Sequence, residues 1–390
     1  MPAVPGLEIF CSLPGSSVPG RLGLLCNPAA VDRKLNFALD LIRAAFPGRL
    51  KAVFGPQHGF FAEKQDNMIE SEDSLHPLYR LPVYSLYGAR RRPEPYMLQD
   101  LDALLVDLPD VGCRVYTFFT TLLACMEEAA RRGVAIWVLD RPNPLGRGRE
   151  DGPVLDPEWF SFVGPYRLPL VHSLSLGELA ALAAREQKLN LDLRIIKASA
   201  WQGGDFPSTG LPWVMPSPNL PTFDSVLVYP GQVLLEGTTL SEGRGTTRPF
   251  EIFGMPGLDA PGLADELARH EPSALEGAVL RPLCFEPAFN KYQGQVCGGL
   301  QIHVRDRRQY RPLRLTLAIL GALSRRQPGL WELRPPPYEY EYEKRPLDLL
   351  LGDREAADML REGAFSSELG QRWQPGLDLW RERQKDILLY

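Results

Sequence analysis

The strongest constraint on this chain's fold is a repeated stop. Short apolar runs end again and again at a proline or glycine that cannot continue a strand. Residues 22–26 (LGLLC) run into Asn27-Pro28, residues 50–54 into Gly55-Pro56, residues 103–107 towards Pro109, and residues 134–139 into Asp140-Arg141-Pro142. Helical spacing fills the intervals. It spans residues 35–46 before Pro47-Gly48, and residues 118–132, where Arg131 and Arg132 occupy the last turn and Gly133 follows. Ser175-Leu176-Gly177-Glu178 is a capping box that opens a helix over residues 179–188. Runs at 191–196 and 226–229 complete the predicted strands. The alternation predicts an α/β fold: a Rossmann-like, mostly parallel sheet with helices on both faces. Such sheets bind ligands beyond the carboxyl ends of their strands. The segments to read for function are therefore 55–71, 108–117, 140–152 and 230–251.

A chain of 390 residues has room for two cores. The texture changes near residues 254–262. We expect an α/β domain over residues 1–255 and a smaller α+β domain over 256–390 that covers its cleft. The second has a helix at 263–269, strands at 279–285 and 300–304, a helix at 313–323, and a stiff PPPYEYEYEK segment within 334–344. A net charge of -5 gives no reason to expect nucleic acid as a partner. No run of apolar residues is long enough for a membrane span, and the first residues lack the pattern of a signal peptide. Six scattered cysteines without a CxxC pair read as buried free thiols. A cytoplasmic location is the expectation. GxGxxG, the Walker loop, HExxH and GxSxG are all missing, which argues against nucleotide, zinc-protease and serine-hydrolase chemistry.

Several polar clusters sit at predicted strand ends. His58 lies on the glycine-flanked turn GPQHG, placed to bond a substrate hydroxyl or move a proton. Glu63, Asp66, Glu70 and Glu72 follow it as a metal cage or as solvated charge. Glu70 follows Met68-Ile69, and partial burial there would raise its pKa as a general acid requires. Asp107, Asp110, Arg114 and Tyr116 crowd into DLPDVGCRVY, as pocket residues or as an internal Asp–Arg clamp. Asp140-Arg141 is either a structural ion pair or a pocket wall. PSPNLPT holds Asn219 between prolines, a rigid way to present one amide. The densest cluster is EGTTLSEGRGTTRPFE, residues 236–251. It brings Glu236, Glu242, Arg244, Arg248 and Glu251 together, and the flanking Gly243 and Gly245 are expected to leave Arg244 sterically free. We read it as one wall of a polar active site.

FGPQHGF, PVYSLYG, DLPDVGCRVYTFFTT, VLDRPNPLG, PSPNLPT and EGTTLSEGRGTTRPFE occur in this order in the DUF1343 family, which the chain resembles over nearly its whole length. Characterised members of that family are exo-β-N-acetylmuramidases of the NamZ type. The resemblance implies a Rossmann-like domain, a smaller C-terminal domain and a site between them. It also implies hydrolysis of non-reducing-end N-acetylmuramic acid from peptidoglycan fragments. The substrate would be a small sugar, a muropeptide or an amino-sugar disaccharide, with no metal and no organic cofactor. By motif position His58, Asp110, Arg114, Tyr116, Asn219, Glu236, Glu242 and Arg244 match the family's cleft residues. In the reading that follows, Glu70 is the general acid and Glu236 or Glu242 the nucleophile or base. His58 and Asn219 hold the sugar, and Arg244, with Arg114, grips the lactyl carboxylate in a planar fork. Many members resemble PEHG where this chain has Pro56-Gln57-His58-Gly59. A carboxamide neither donates an acidic proton nor attacks as an anion, so another carboxylate acts here or the activity differs. Two other readings stand beside this one: a non-catalytic sugar-binding protein, and a metal-dependent hydrolase using Asp107, Asp110, Glu70 and Glu72.

Overall fold

The structure, a computed structural model, describes residues 1–66 and 68–390. Its strands are β1 (Leu22–Cys26), β2 (Leu50–Gly55), β3 (Ser74–Leu75), β4 (Pro82–Ser85), β5 (Ala103–Asp107), β6 (Ala135–Leu139), β7 (Asp151–Val154), β8 (Pro169–Val171), β9 (Leu193–Ile196), β10 (Ile252–Met255), β11 (Ala278–Phe285) and β12 (Cys297–Val304). Seven of them form the main sheet in the order β3-β4-β2-β1-β5-β6-β9. Every neighbouring pair is parallel except β3 with β4. The chain builds outward from β1 in both directions, so the topological switch falls between β1 and β5.

Alternate residues of these strands feed two separate cores, as a period of two requires. Leu25, Phe54, Leu104, Val106, Ile136 and Val138 face one way, towards the helices Phe118–Arg132 and Leu176–Glu186. Leu22, Leu24, Val53, Leu105, Trp137 and Leu139 face the other way, towards the helices Gly6–Cys11 and Ala38–Ala45. Both faces are therefore covered, and the strands are buried almost throughout. Helix punctuation follows the sequence. Gly133 ends its helix in the left-handed conformation, and Ser175 and Glu178 close the capping box on each other.

The C-terminal part carries a three-stranded antiparallel sheet of order β10-β12-β11 and the helices Ala260–His270, Pro312–Arg326, Pro346–Leu351, Arg354–Arg361 and Ser366–Gln384. Among the described residues no helix is long and apolar enough to cross a membrane. All six cysteines are free.

One expected strand is absent. Residues 226–229 lie inside a buried helix, Phe223–Gln232. A short apolar run fits a buried strand and a buried helix equally well. Here Thr222 decides, because its hydroxyl accepts from the Ser225 N–H and starts a helix. The helix runs directly into a 3-10 turn, Val233–Gly237, which carries Glu236. The 236–251 wall therefore does not extend from a strand end of the main sheet. It hangs from this helix, which is packed against the helix Pro312–Arg326.

The crossing of those two helices is tight at Gly231. A β-carbon there would sit 2.1 Å from the Pro312 carbonyl oxygen and 2.5 Å from Thr316 Oγ1. Gly231→Ala is expected to lower stability by about 1–3 kcal/mol through overpacking. Urea denaturation with an unchanged midpoint would show that the crossing yields freely.

Candidate active site

The turn after β2, the start of the helix at Phe118, and the 236–251 segment meet the PPPYEYEYEK strap around one cavity. Its walls include Gln57, His58, Tyr116, Thr117, Ser217, Tyr229, Glu236, Arg244, Tyr338 and Glu339. The cavity holds about 40 Å³, well below the ~300–1,000 Å³ of ligand-filled pockets. A sugar ring therefore requires the walls to part.

Arg244 organises one side. Its Nη2 donates to Glu236 Oε1 at 2.7 Å, and its Nε lies 3.3 Å from Glu242 Oε1. The Lys291 ammonium donates to Glu242 Oε2, to the Leu235 carbonyl and to the Leu240 carbonyl, each at 2.8 Å. All three ammonium protons are thus used. Burial alone would raise the Glu242 carboxyl, but Lys291 and Arg244 outweigh it and hold the group below the usual carboxylate range. Glu236 receives a second hydrogen bond, from the Tyr338 hydroxyl to Oε2 at 2.7 Å.

The glycines beside Arg244 act otherwise than expected. They do not leave the arginine free. Gly243 and Gly245 take φ of 78° and 80°, and a β-carbon on either would strike the Ile252 or Phe289 carbonyl oxygen at 2.3 or 2.4 Å. Only glycine lets the backbone pass so close and deliver a buried Arg244 to the cavity. Its Nη1 has no hydrogen-bond partner among the described residues.

The opposite side is nearly neutral. His58, in a left-handed conformation with φ 72°, turns Nδ1 to the Lys64 carbonyl at 2.8 Å. That carbonyl requires a proton on Nδ1, so Nε2 accepts from the Ser217 hydroxyl at 3.1 Å. Burial pulls the imidazole down to about 4, and the Arg244 charge acts in the same direction. Near neutral pH His58 is an uncharged scaffold for the loop and no source of acidic protons. Gln57 receives the Thr117 hydroxyl on Oε1 at 2.5 Å and donates Nε2 to Glu339 Oε1 at 3.0 Å. Tyr87 donates to Glu339 Oε2 at 2.8 Å. Burial pushes the Glu339 carboxyl up to about 7, against the bonds from Tyr87 and Gln57.

The structure separates the other candidates from this cavity. Glu70 is exposed rather than partly buried, lines an outer groove beside β2 and β4, and takes a 3.3 Å bond from Tyr340. Arg114 is fully buried and donates to four carbonyls, of Pro153, Leu168, Leu350 and Leu351, which leaves no fork for a substrate. It pairs with neither aspartate of its motif. Asp110 accepts from the Gly112 N–H at 2.6 Å, stands 3.3 Å from His172, and borders a different small cavity at the switch between β1 and β5. Asp107 is held by both arms of Arg141, while Asp140 takes Ser175, Gly177 and Tyr390. Asn219 donates to the Gln65 carbonyl at 2.5 Å and so braces the His58 loop. Tyr116 lines the cavity, with its hydroxyl donating to the Pro216 carbonyl at 3.1 Å. Glu242 is one step behind the wall. Among the described residues no three His, Cys, Asp or Glu side chains are grouped to hold a metal ion.

Glu339, Tyr338, Tyr87 and Lys291 were not singled out by sequence. The only signal for the first two was the regular Tyr–Glu alternation after three prolines, which on an exposed strand would be unremarkable.

Two carboxyl groups on the walls of one cavity, Glu236 and Glu339, are what an enzyme that cleaves glycosidic bonds needs. The comparisons agree. The chain belongs to the exo-β-N-acetylmuramidase NamZ family, whose N-terminal model matches residues 22–224 and whose C-terminal model matches residues 227–390. It is 37% identical over 372 residues to the peptidoglycan β-N-acetylmuramidase NamZ of Bacillus subtilis (strain 168), covering 95% of this chain and 87% of that protein. Two crystal structures of DUF1343 family proteins from Bacteroides fragilis NCTC 9343 share the fold. One has a TM-score of 0.87 at 29% identity, the other 0.76 at 25%, and each match covers 100% of this chain and 99% of the other.

Two substitutions separate the cavity from its surroundings. Arg114→Met is expected to lower stability by more than about 3 kcal/mol, since four carbonyls lose a charged donor, while KM of the folded fraction stays unchanged. A raised KM with unchanged stability would return Arg114 to the substrate. Glu70→Gln is expected to leave kcat/KM within about twofold of wild type, and a large loss of kcat would reverse its removal from the site.

Proposed function

We propose that this protein hydrolyses the bond that links a non-reducing-end N-acetylmuramic acid to the rest of a peptidoglycan fragment. The observation that carries the reading is the pairing of Glu236 with Arg244 on the cavity wall. Glu236 accepts at both oxygens, from Arg244 and from Tyr338. It can act at the anomeric carbon either directly or through a water. The likeness to the Bacillus subtilis enzyme supports the choice of sugar.

Muramic acid differs from glucosamine by a lactyl ether with a carboxylate. Arg244 Nη1 is the donor that remains to meet that group. The ion cluster of Arg244, Lys291, Glu236 and Glu242 is balanced in charge, so Arg244 offers a directed hydrogen bond more than a net positive field. The expected discrimination is correspondingly modest. Asp110, Arg114 and Asn219 do not touch the sugar in this reading. They hold the loops that do. The chemistry takes place in the cytoplasm, a placement supported by six free cysteines. Recovery of the protein outside the membrane on cell fractionation would overturn that placement.

Wild type is expected to release para-nitrophenol from para-nitrophenyl N-acetyl-β-muramide, and excess chelator should not slow it. Arg244→Lys keeps the charge but loses the fork. It is expected to raise KM for the muramide by about tenfold and to change KM for the matching glucosaminide much less. An equal rise on both substrates would detach Arg244 from the lactyl group. Activity abolished by chelator would restore the metal-dependent reading.

A further inference from the structure

The cavity holds a carboxyl group that the reading above leaves without a task. Glu339 lines the same cavity as Glu236. Both of its oxygens are engaged by neutral donors, Gln57 Nε2 at 3.0 Å and the Tyr87 hydroxyl at 2.8 Å. Its backbone is held in an uncommon conformation. Glu339 and Tyr340 have φ of 44° and 67°, a region that non-glycine residues seldom occupy. Such strain persists only where surrounding contacts over-determine it. Here they do: Tyr338 is tied to Glu236, Glu339 to Gln57 and Tyr87, and the Tyr340 ring packs on Tyr87 and Phe162. The strain delivers one carboxyl group to a buried wall.

We propose that Glu339 is the proton donor to the departing sugar oxygen, with Gln57 and Tyr87 as its positioning residues. The assignment rests on the muramidase reading and deepens it. In the step, the bond between the anomeric carbon and the glycosidic oxygen breaks, and its electron pair goes to that oxygen. The oxygen takes the Glu339 proton and leaves as a hydroxyl. Water then adds to the anomeric carbon, and its surplus proton returns to the Glu339 carboxylate, so the enzyme ends as it began.

The surroundings suit the task. The charged and titratable groups facing Glu339 are Glu236, Arg244, Tyr87, Tyr338 and Tyr340, with His58 neutral beside them. Burial, with Glu236 in support, raises the carboxyl to about 7, so a large share is protonated near neutral pH. Gln57 contributes what a second carboxylate there could not. An amide donates to Glu339 without competing for its proton.

The test compares leaving groups. Para-nitrophenolate departs with little help, whereas a sugar hydroxyl needs a proton. Glu339→Gln is expected to cut kcat/KM on the disaccharide of N-acetylmuramic acid and N-acetylglucosamine by at least about a hundredfold, and on para-nitrophenyl N-acetyl-β-muramide by less than about tenfold. The wild-type disaccharide rate should fall as pH rises through about 7, and that limb should vanish in the variant. Equal losses on both substrates, or an unchanged limb, would overturn the assignment. Tyr87→Phe removes a donor that favours the carboxylate, so the limb should move to higher pH in a protein with a near-native melting curve. A limb that stays in place or moves down would also overturn it. Wild type that turns over neither substrate would sink the muramidase reading itself, whereas active wild type with equal losses would sink only the role of Glu339.

Discussion

Everything in the pocket depends on the buried cluster centred on Arg244. Four ionised side chains in a dry interior would be ruinous if any stood alone, because removing a charge from water costs several kcal/mol even after relaxation. Here two cations and two anions compensate one another, and Lys291 uses its two further protons to clamp the carbonyls of Leu235 and Leu240. Those bonds fix the turn that carries Glu236, and Tyr338 attaches the C-terminal strap to the same carboxylate. The position of Glu236 is thus set by three separate parts of the chain.

Much of the platform was legible because its strands stop for local reasons. Pro28, Pro56, Pro109 and Pro142 each follow a strand, and proline acts within a residue or two of where it sits. Residues 226–229 were misjudged because burial on all sides erases the periodicity that separates strand from helix. The site was only half legible. The 236–251 motif announced itself through the density of opposite charges between glycines. Its arginine was read as free, although those glycines serve close backbone approach at Ile252 and Phe289. Arg114 and Asp110 sit four residues apart in one motif yet bond separate partners, and nothing in sequence spacing reveals which way a buried side chain turns. Glu339 was hidden for a stronger reason. What makes it distinctive is contact with Gln57 and Tyr87, far off in sequence. Glu70 shows the converse error: an apolar pair before a carboxylate suggested burial, but Met68 and Ile69 are themselves exposed.

The two sides of the cavity divide electrostatic labour. Around Glu236 the donors are the Arg244 guanidinium and the Tyr338 hydroxyl. Around Glu339 the donors are an amide and a phenol, and burial prevails over them. His58 fits this division, because a neutral imidazole between Lys64 and Ser217 supplies shape without adding a competing proton.

The bond between Gln57 and Glu339 spans 282 positions of the chain. One wall emerges early in synthesis and the other near its end. Until the strap has emerged, the nascent polypeptide has Gln57 but not the carboxyl group that its amide meets. A premature stop before Tyr338 removes both that carboxyl group and the Tyr338 bond to Glu236. The pocket is therefore completed only by the last sixth of the chain, and the order of synthesis leaves the proton donor until near the end.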